Sequence, residues 1–116
     1  MRVLVCGSRC WVDRAVIRRE LRRLPKDTVI IEGEAPGADT IARAEAEKLG
    51  LIVEPYPADW AKYHKAAGPI RNRQMLVEGK PDLVLAFHRD IDGSKGTRNM
   101  VDQAVKAGLV VKVLAH

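Results

Sequence analysis

The chain has 116 residues, 47% of them hydrophobic and 30% charged, which fits one compact domain spanning residues 1–116 and leaves little room for a second. It has no apolar run long enough to cross a membrane as a helix, and Met1-Arg2-Val3-Leu4-Val5-Cys6 enters a strand-like segment without a signal-peptide pattern, so the sequence predicts a cytoplasmic protein without membrane partners. The net charge of +5 admits an anionic ligand, and the two cysteines, Cys6 and Cys10, lack the second ligand pair of a structural zinc site, so no metal or cofactor is assigned.

The first strand is expected at residues 2 to 6, followed by Gly7-Ser8-Arg9-Cys10-Trp11. A glycine there admits close backbone approach, a serine hydroxyl and the amides of the next helix can hold a phosphate, and an arginine can clamp it. A tight turn with a surface arginine reads equally well. The first helix, expected at 13 to 24 and capped by Asp13, carries Val16, Ile17, Leu21 and Leu24 on one stripe. Its Arg14, Arg18, Arg19, Arg22 and Arg23 form a solvated outer face that could touch nucleic-acid phosphates without reading sequence. With 4% aromatics the chain has few rings for an extended base-stacking surface, which makes nucleic acid the weaker partner.

A second strand at 28 to 31 runs into Glu32-Gly33-Glu34-Ala35-Pro36-Gly37-Ala38-Asp39 and a helix at 39 to 49. Gly33, Gly37 and Ala38 read as a ligand-facing loop, with Asp39 either capping the helix or holding a sugar hydroxyl. Neither the Walker pattern nor Gly-x-Gly-x-x-Gly is present. After a third strand at 51 to 54, residues 55 to 68 form the longest irregular stretch. Trp60 and Tyr63 there could cover a base, although packing of Trp60 in a satellite core under the loop is the slightly favoured role. The helix expected at 69 to 78 offers Arg71 and Asn72 in its first turn, and its Ile70, Met75, Leu76 and Val77 suit either the core or a homo-oligomer contact.

The fourth strand, at 82 to 87, leads to His88 and then Asp92-Gly93-Ser94-Lys95-Gly96-Thr97-Arg98. Ser94, Gly96 and Thr97 would open the helix at 97 to 107 as a phosphate cradle, with Lys95 or Arg98 adding charge. A fifth strand closes the pattern at 109 to 114. Five strands alternating with four helices predict an α/β, Rossmann-like three-layer domain with a parallel sheet in the order 3-2-1-4-5 and its ligand crevice between strands one and four. Carboxylates near that crevice, Glu34, Asp39 and Asp59, are candidate acids or bases for a nucleotide N-glycosidase. His64 is a further candidate, and His88 reads as a strand end.

Gly-Ser-Arg-x-x-x-Asp, Gly-x-Ala-x-Gly-Ala-Asp, Pro-Ala-Asp-Trp, Ala-Gly-Pro-Ile-Arg-Asn-x-x-Met and Ser-x-Gly-Thr occur in that order. The combination resembles the YspA and YpsA-related branch of the SLOG superfamily over nearly the whole chain. The resemblance implies a Rossmann-like domain for a nucleotide or nucleotide-derived ligand, with relatives that include the "lonely guy" phosphoribohydrolases and the DprA DNA-processing proteins. It also implies a possible homo-oligomer. The phosphoribohydrolases carry Pro-Gly-Gly-x-Gly-Thr-x-x-Glu, whereas this chain has Met100 at the glutamate's place. A thioether cannot replace that carboxylate, which favours binding over this hydrolysis. Glu34, where many relatives have a glycine, would oppose phosphates unless it turns away or meets an arginine.

Overall fold

The computed structural model describes residues 1–115. Its strands are β1 (Arg2–Gly7), β2 (Val29–Glu32), β3 (Ile52–Pro55), β4 (Leu83–Phe87) and β5 (Val110–Leu114). All pair in parallel in the order β3-β2-β1-β4-β5, the order expected from the sequence. Val3 sits in register with Ile30 on one side and Leu83 on the other, so β1 is the central strand. Its uninterrupted apolar run reflects that position, because both faces of the strand are covered.

Helices α1 (Arg14–Arg22) and α2 (Ala38–Lys48) follow β1 and β2, while α4 (Ala67–Val77) and α5 (Gly96–Lys106) precede β4 and β5. Two hydrophobic clusters result. One joins Val3, Val5, Ile30 and Phe87 to Ile17, Leu21 and Ala42, and the other joins Leu4, Ile31, Val84 and Ala86 to Met75, Met100 and Ala104. The alternation of Val3 and Val5 with Leu4 along one strand therefore divides the interior into two layers on opposite faces of the sheet. Asp13 caps α1, its carboxylate accepting from the Val16 amide at 3.3 Å. Among the described residues no helix is long and apolar enough to cross a membrane.

The arginines of α1 form the exposed outer face expected, and four of them also reach buried acids. Arg14 and Arg18, with Lys48, gather on buried Glu45 at 3.7, 3.1 and 3.8 Å. Arg19 and Arg23, with Lys112 of β5, gather on buried Glu20 at 3.4, 3.4 and 2.7 Å. Hydrogen bonding from Arg18 holds the Glu45 carboxyl below its ordinary range. Four of the five arginines thus pair with two internal acids; Arg14 and Arg18 tie α1 to α2, and Lys112 through Glu20 ties it to β5.

The stretch from 55 to 68 is also more ordered than its sequence suggested. It contains the short helix α3 (Trp60–Tyr63), a 3₁₀ turn at His64–Ala66, and the first residues of α4. Asp59 starts α3 by accepting from the Lys62 amide at 3.1 Å. Helix α4 begins two residues earlier than expected because Gly68 and Pro69 fall in its first turn, where backbone amides have no intrahelical partner to lose. Of the apolar residues on α4 considered for an oligomer contact, Met75 is buried and Leu76 packs on the core, while Ile70 and Val77 are exposed.

Candidate functional site

The winding of the sheet reverses between β1 and β4, and a cavity of about 570 Å³ opens beyond their carboxyl ends. Three segments converge there. The loop after β1 is tied to β4 by the Ser8 amide donating to the Phe87 carbonyl at 2.9 Å, and to α2 by the Ala38 amide donating to the Ser8 carbonyl at 3.0 Å. The start of α5 supplies Ser94, Gly96 and Thr97, and the start of α4 supplies Arg71 and Asn72. Ser8 and Thr97, 89 positions apart in the chain, therefore line one cavity with Gly7, Arg9 and Asp39.

Trp60 also lines this cavity, whereas several other residues selected from the sequence lie elsewhere. Gly37 and Ala38 are not among the lining residues. Gly37 is the N-cap of α2, at φ +80°, where it passes against the backbone of Ser8 and Arg9, and Ala38 is fully buried beneath Gly7. A Cβ on Gly7 would lie 2.7 Å from that of Ala38, so this pair is where the two loops cross. Gly33 and Glu34 line a smaller adjoining cleft of about 210 Å³. The Glu34 carboxylate turns to Arg43 at 2.8 Å, the arginine partner its position called for. Asp59 caps α3 and lines neither cavity; His64 also lies outside both. Trp60 is 47% exposed, contrary to the satellite-core reading, and its ring carries the Arg9 guanidinium at 5.6 Å from the centroid. Tyr63 stands away from both cavities beneath the Lys62 ammonium.

Asp39 does not cap α2. Its Oδ2 accepts from the amides of Gly33 at 3.0 Å and Ala35 at 3.3 Å, while Glu32 Oε2 accepts from the Glu34 amide. Three successive amides of the β2 loop are thus held by the protein's own carboxylates. Burial pushes the Asp39 carboxyl up to about 6, against the pull of the Ala35 amide, Arg71, the Gly33 amide and Arg9. Glu32 is fully buried, its Oε1 has no hydrogen-bond partner, and burial reinforced by Asp39 and Glu34 pushes it up to about 7. Glu32 escaped the sequence reading because only the loop that folds back over it and the start of α2 make the end of β2 an interior position.

Arg71 is fixed on the cavity wall, donating to the Gly33 carbonyl at 2.6 Å and to Asn72 Oδ1 at 3.0 Å. Burial lowers its pKa, opposed by Asp39 and assisted by the like charge of Arg9. Asn72 donates onward to the Gly96 carbonyl at 3.3 Å and Asn99 Oδ1 at 3.2 Å, and Gln103 donates to the same oxygen at 2.7 Å. This chain of amides joins the starts of α4 and α5. Asn72→Ala should lower stability by about 1–2 kcal/mol in urea denaturation, because it removes a hydrogen-bond partner from three part-buried groups.

At the start of α5 the Ser94 hydroxyl oxygen accepts from the Thr97 amide at 3.1 Å, acting as a cap. Lys95 and His88 also line the cavity, and His88 Nδ1 accepts from the Asp90 amide at 2.9 Å. Arg98 instead faces Asp92 and Asp102 at 3.9 and 3.8 Å. Met100, fully buried, underlies the cavity where the phosphoribohydrolase pattern has its glutamate. Cys10, Lys65 and Asn99 are lining residues that the sequence reading did not select. Asn99 had a visible signal, since it lies four residues before Gln103 on one helix face.

An open parallel sheet wound to both sides, with its crevice at the point of reversal, defines a Rossmann-like α/β protein. The chain belongs to the YspA, cpYpsA-related SLOG family (YAcAr), whose sequence model matches residues 1–63. It is 40% identical over 119 residues to the Gene 61 protein of Mycobacterium phage D29, covering 95% of this chain and 93% of that protein. Among solved structures, DNA processing protein A (DprA) from Streptococcus pneumoniae shares the fold, with a TM-score of 0.78 over 97% of this chain at 19% identity. The chain spans 49% of that structure's length.

Proposed function

We propose that the protein is a cytoplasmic binding module, one domain throughout its length, for a nucleotide or nucleotide-derived ligand. The observation that carries this reading is the convergence of Ser8, Arg9, Arg71, Gly96 and Thr97 on one cavity of about 570 Å³, a volume suited to a nucleotide. The Ser8 and Thr97 hydroxyls and the Gly96 amide would hold phosphate oxygens at the positive end of the α5 dipole, with Arg9 and Lys95 adding charge. Asp39 would accept from a sugar hydroxyl. Gly37 and Ala38 support the loop rather than touch the ligand.

A ligand present at 100 times its dissociation constant adds about 2.7 kcal/mol of stability, which corresponds here to roughly 10 °C in unfolding temperature. Thermal unfolding against nucleoside mono-, di- and triphosphates should show a shift of this size with at least one of them. A flat response across the set would overturn the reading.

Asp39 favours a second reading as an N-glycosidase. It is the one carboxylate of the three candidates that lines the main cavity, and a carboxyl pushed up to about 6 suits proton transfer near neutrality. Chromatography of a nucleotide incubated with the protein would reveal released base, and an intact nucleotide at pH 6 and pH 8 would dismiss hydrolysis.

The streptococcal neighbour's description as a DNA processing protein motivates a third reading. Four α1 arginines share two buried acids, Glu20 and Glu45, and stay exposed, so the face keeps an excess of positive charge for phosphates to meet. Polynucleotide binding would show a steep loss with salt.

A further inference from the structure

Residues 59–66 are all exposed and lie between half-buried Ala58 and buried Ala67. Their hydrogen bonds are local. The Lys62 and Tyr63 amides donate back to Asp59, the His64 amide to the Trp60 carbonyl, and the Ala67 amide to the His64 carbonyl. Among the described residues no hydrogen bond or ion pair ties this segment to a strand, yet Trp60 and Lys65 line the main cavity. We infer that residues 59–66 are a lid, hinged at Ala58 and Ala67 and latched by the ring of Trp60 on Arg9, that swings clear of the cavity mouth while the sheet stays folded. The inference rests on the cavity and its rim, whatever the chemistry of the ligand.

The latch is a single ring. Its face carries the Arg9 guanidinium at 5.6 Å, and its edge lies over Gly68, where a Cβ would stand 3.5 Å from it. Arg9 sits on the loop that the Ser8 amide fastens to β4, so Trp60 joins the lid to the fixed part of the molecule. Arg9 is exposed and, among the described residues, is bonded to no carboxylate. A cation over a ring at an exposed site biases an equilibrium only a few-fold, which holds a lid without sealing it. The joint is strained as well. His64, between α3 and the 3₁₀ turn, adopts φ +51° and ψ −127°, a conformation that suits glycine and that a side chain resists. That strain is released when the segment swings away, which lowers the cost of opening.

An occupied cavity acts on the same contact. A guanidinium donates hydrogen bonds in its plane and stacks through its face, so an anion in the cavity fixes Arg9 without displacing the ring above it. The closed lid also brings Lys65 to the cavity, which adds a cation beside the anion. Occupancy therefore holds the lid down.

The test is native-state hydrogen exchange on the full chain. The amides of Lys62, Tyr63 and His64 should exchange through an opening that low urea does not accelerate, whereas those of Leu4 and Leu85 should follow global unfolding. Arg9→Ala and Trp60→Leu should each speed exchange of the lid by about two- to fivefold. The double variant should be no faster than Trp60→Leu alone, because both substitutions break one contact. Trypsin cleavage after Lys62 and Lys65 gives a second readout and should rank the variants in the same order. Whichever of inorganic pyrophosphate and ADP raises the unfolding temperature should slow exchange of the lid at least about threefold. Lid amides that exchange only together with the sheet would overturn the inference. So would independent, multiplying effects of the two substitutions, or a bound probe that leaves the lid unprotected. If neither probe binds, the urea dependence and the variants still decide the lid, and only the nucleotide reading is lost.

Discussion

Gly37→Ala should unfold about 15–25 °C below the parent protein, a loss of about 3–5 kcal/mol. Two effects act together. At φ +80° and ψ −121° the backbone lies where an L side chain is strained, which alone costs about 1–3 kcal/mol. The added Cβ would also strike the Ser8 carbonyl oxygen and lie 2.6 Å from the Arg9 carbonyl carbon, and neither is a flexible side-chain end that can move aside. Relief requires the β1 and β2 loops to separate, which breaks the Ala38 amide bond to the Ser8 carbonyl and displaces Arg9. Gly96→Ala is the informative comparison, since a Cβ there meets nothing within 4 Å. It should leave unfolding nearly unchanged while crowding the start of α5 against a ligand. Equal unfolding temperatures for the two variants in a calorimetric scan would refute the loop-crossing account.

The second large effect has the opposite sign. Glu32→Gln should stabilise the protein by about 2 kcal/mol at pH 8 and change it little at pH 4, as measured by urea denaturation. The Glu32 carboxyl ordinarily titrates at 4.5 and is pushed up to about 7 by burial, Asp39 and Glu34. Between those values the folded protein keeps a proton that the unfolded chain has released, so stability falls as pH rises through the window. The penalty is complete above the folded value and absent below 4.5. Asp39, pushed up to about 6 from 3.8, adds to the same trend at slightly lower pH. Glu45, held down by Arg18, and Glu54, held down by Tyr56 and Arg2, act in the other direction. Their contribution is present above their ordinary value and is lost as the medium becomes more acidic. The parent should therefore be most stable at about pH 4.5, and Glu32→Gln should move that maximum upward. A pH-independent effect of the substitution would mean that the Glu32 carboxyl titrates alike in the folded and unfolded chain.

The sheet was legible because its information is local and periodic. Strands of four to six residues, the three central ones buried on both faces and all separated by helices, admit few topologies once right-handed crossovers are required. Gly7-Ser8-Arg9 and Ser94-x-Gly96-Thr97 could be recognised as loop chemistry for the same reason, since each is contiguous. What remained hidden depends on approach between distant segments. Gly37 resembled a ligand-facing residue, but its neighbour is the backbone of Ser8 and Arg9. Asp39 resembled a cap, but folding aims its carboxylate back across the turn. Glu32 looked like the first residue of the loop after the second strand, and nothing in its neighbourhood of sequence reveals that it lies out of reach of solvent. The arginines of α1 looked free because their acids, Glu20 and Glu45, reach them from inside the fold, one along the same helix and the other from α2.

The pairing of β1 with β4 has a consequence for synthesis on the ribosome. Val3 finds its partner Ile30 soon after both emerge, but Leu83, its partner on the opposite flank, is translated some fifty residues later. Until then the central strand keeps an open, apolar flank, and the crevice lacks the wall contributed by α5. A nascent chain halted at that stage offers a ready template for edge-to-edge association. Holding chaperones, or a translation rate that brings β4 out quickly, should therefore govern yield more strongly than the stability of the finished fold.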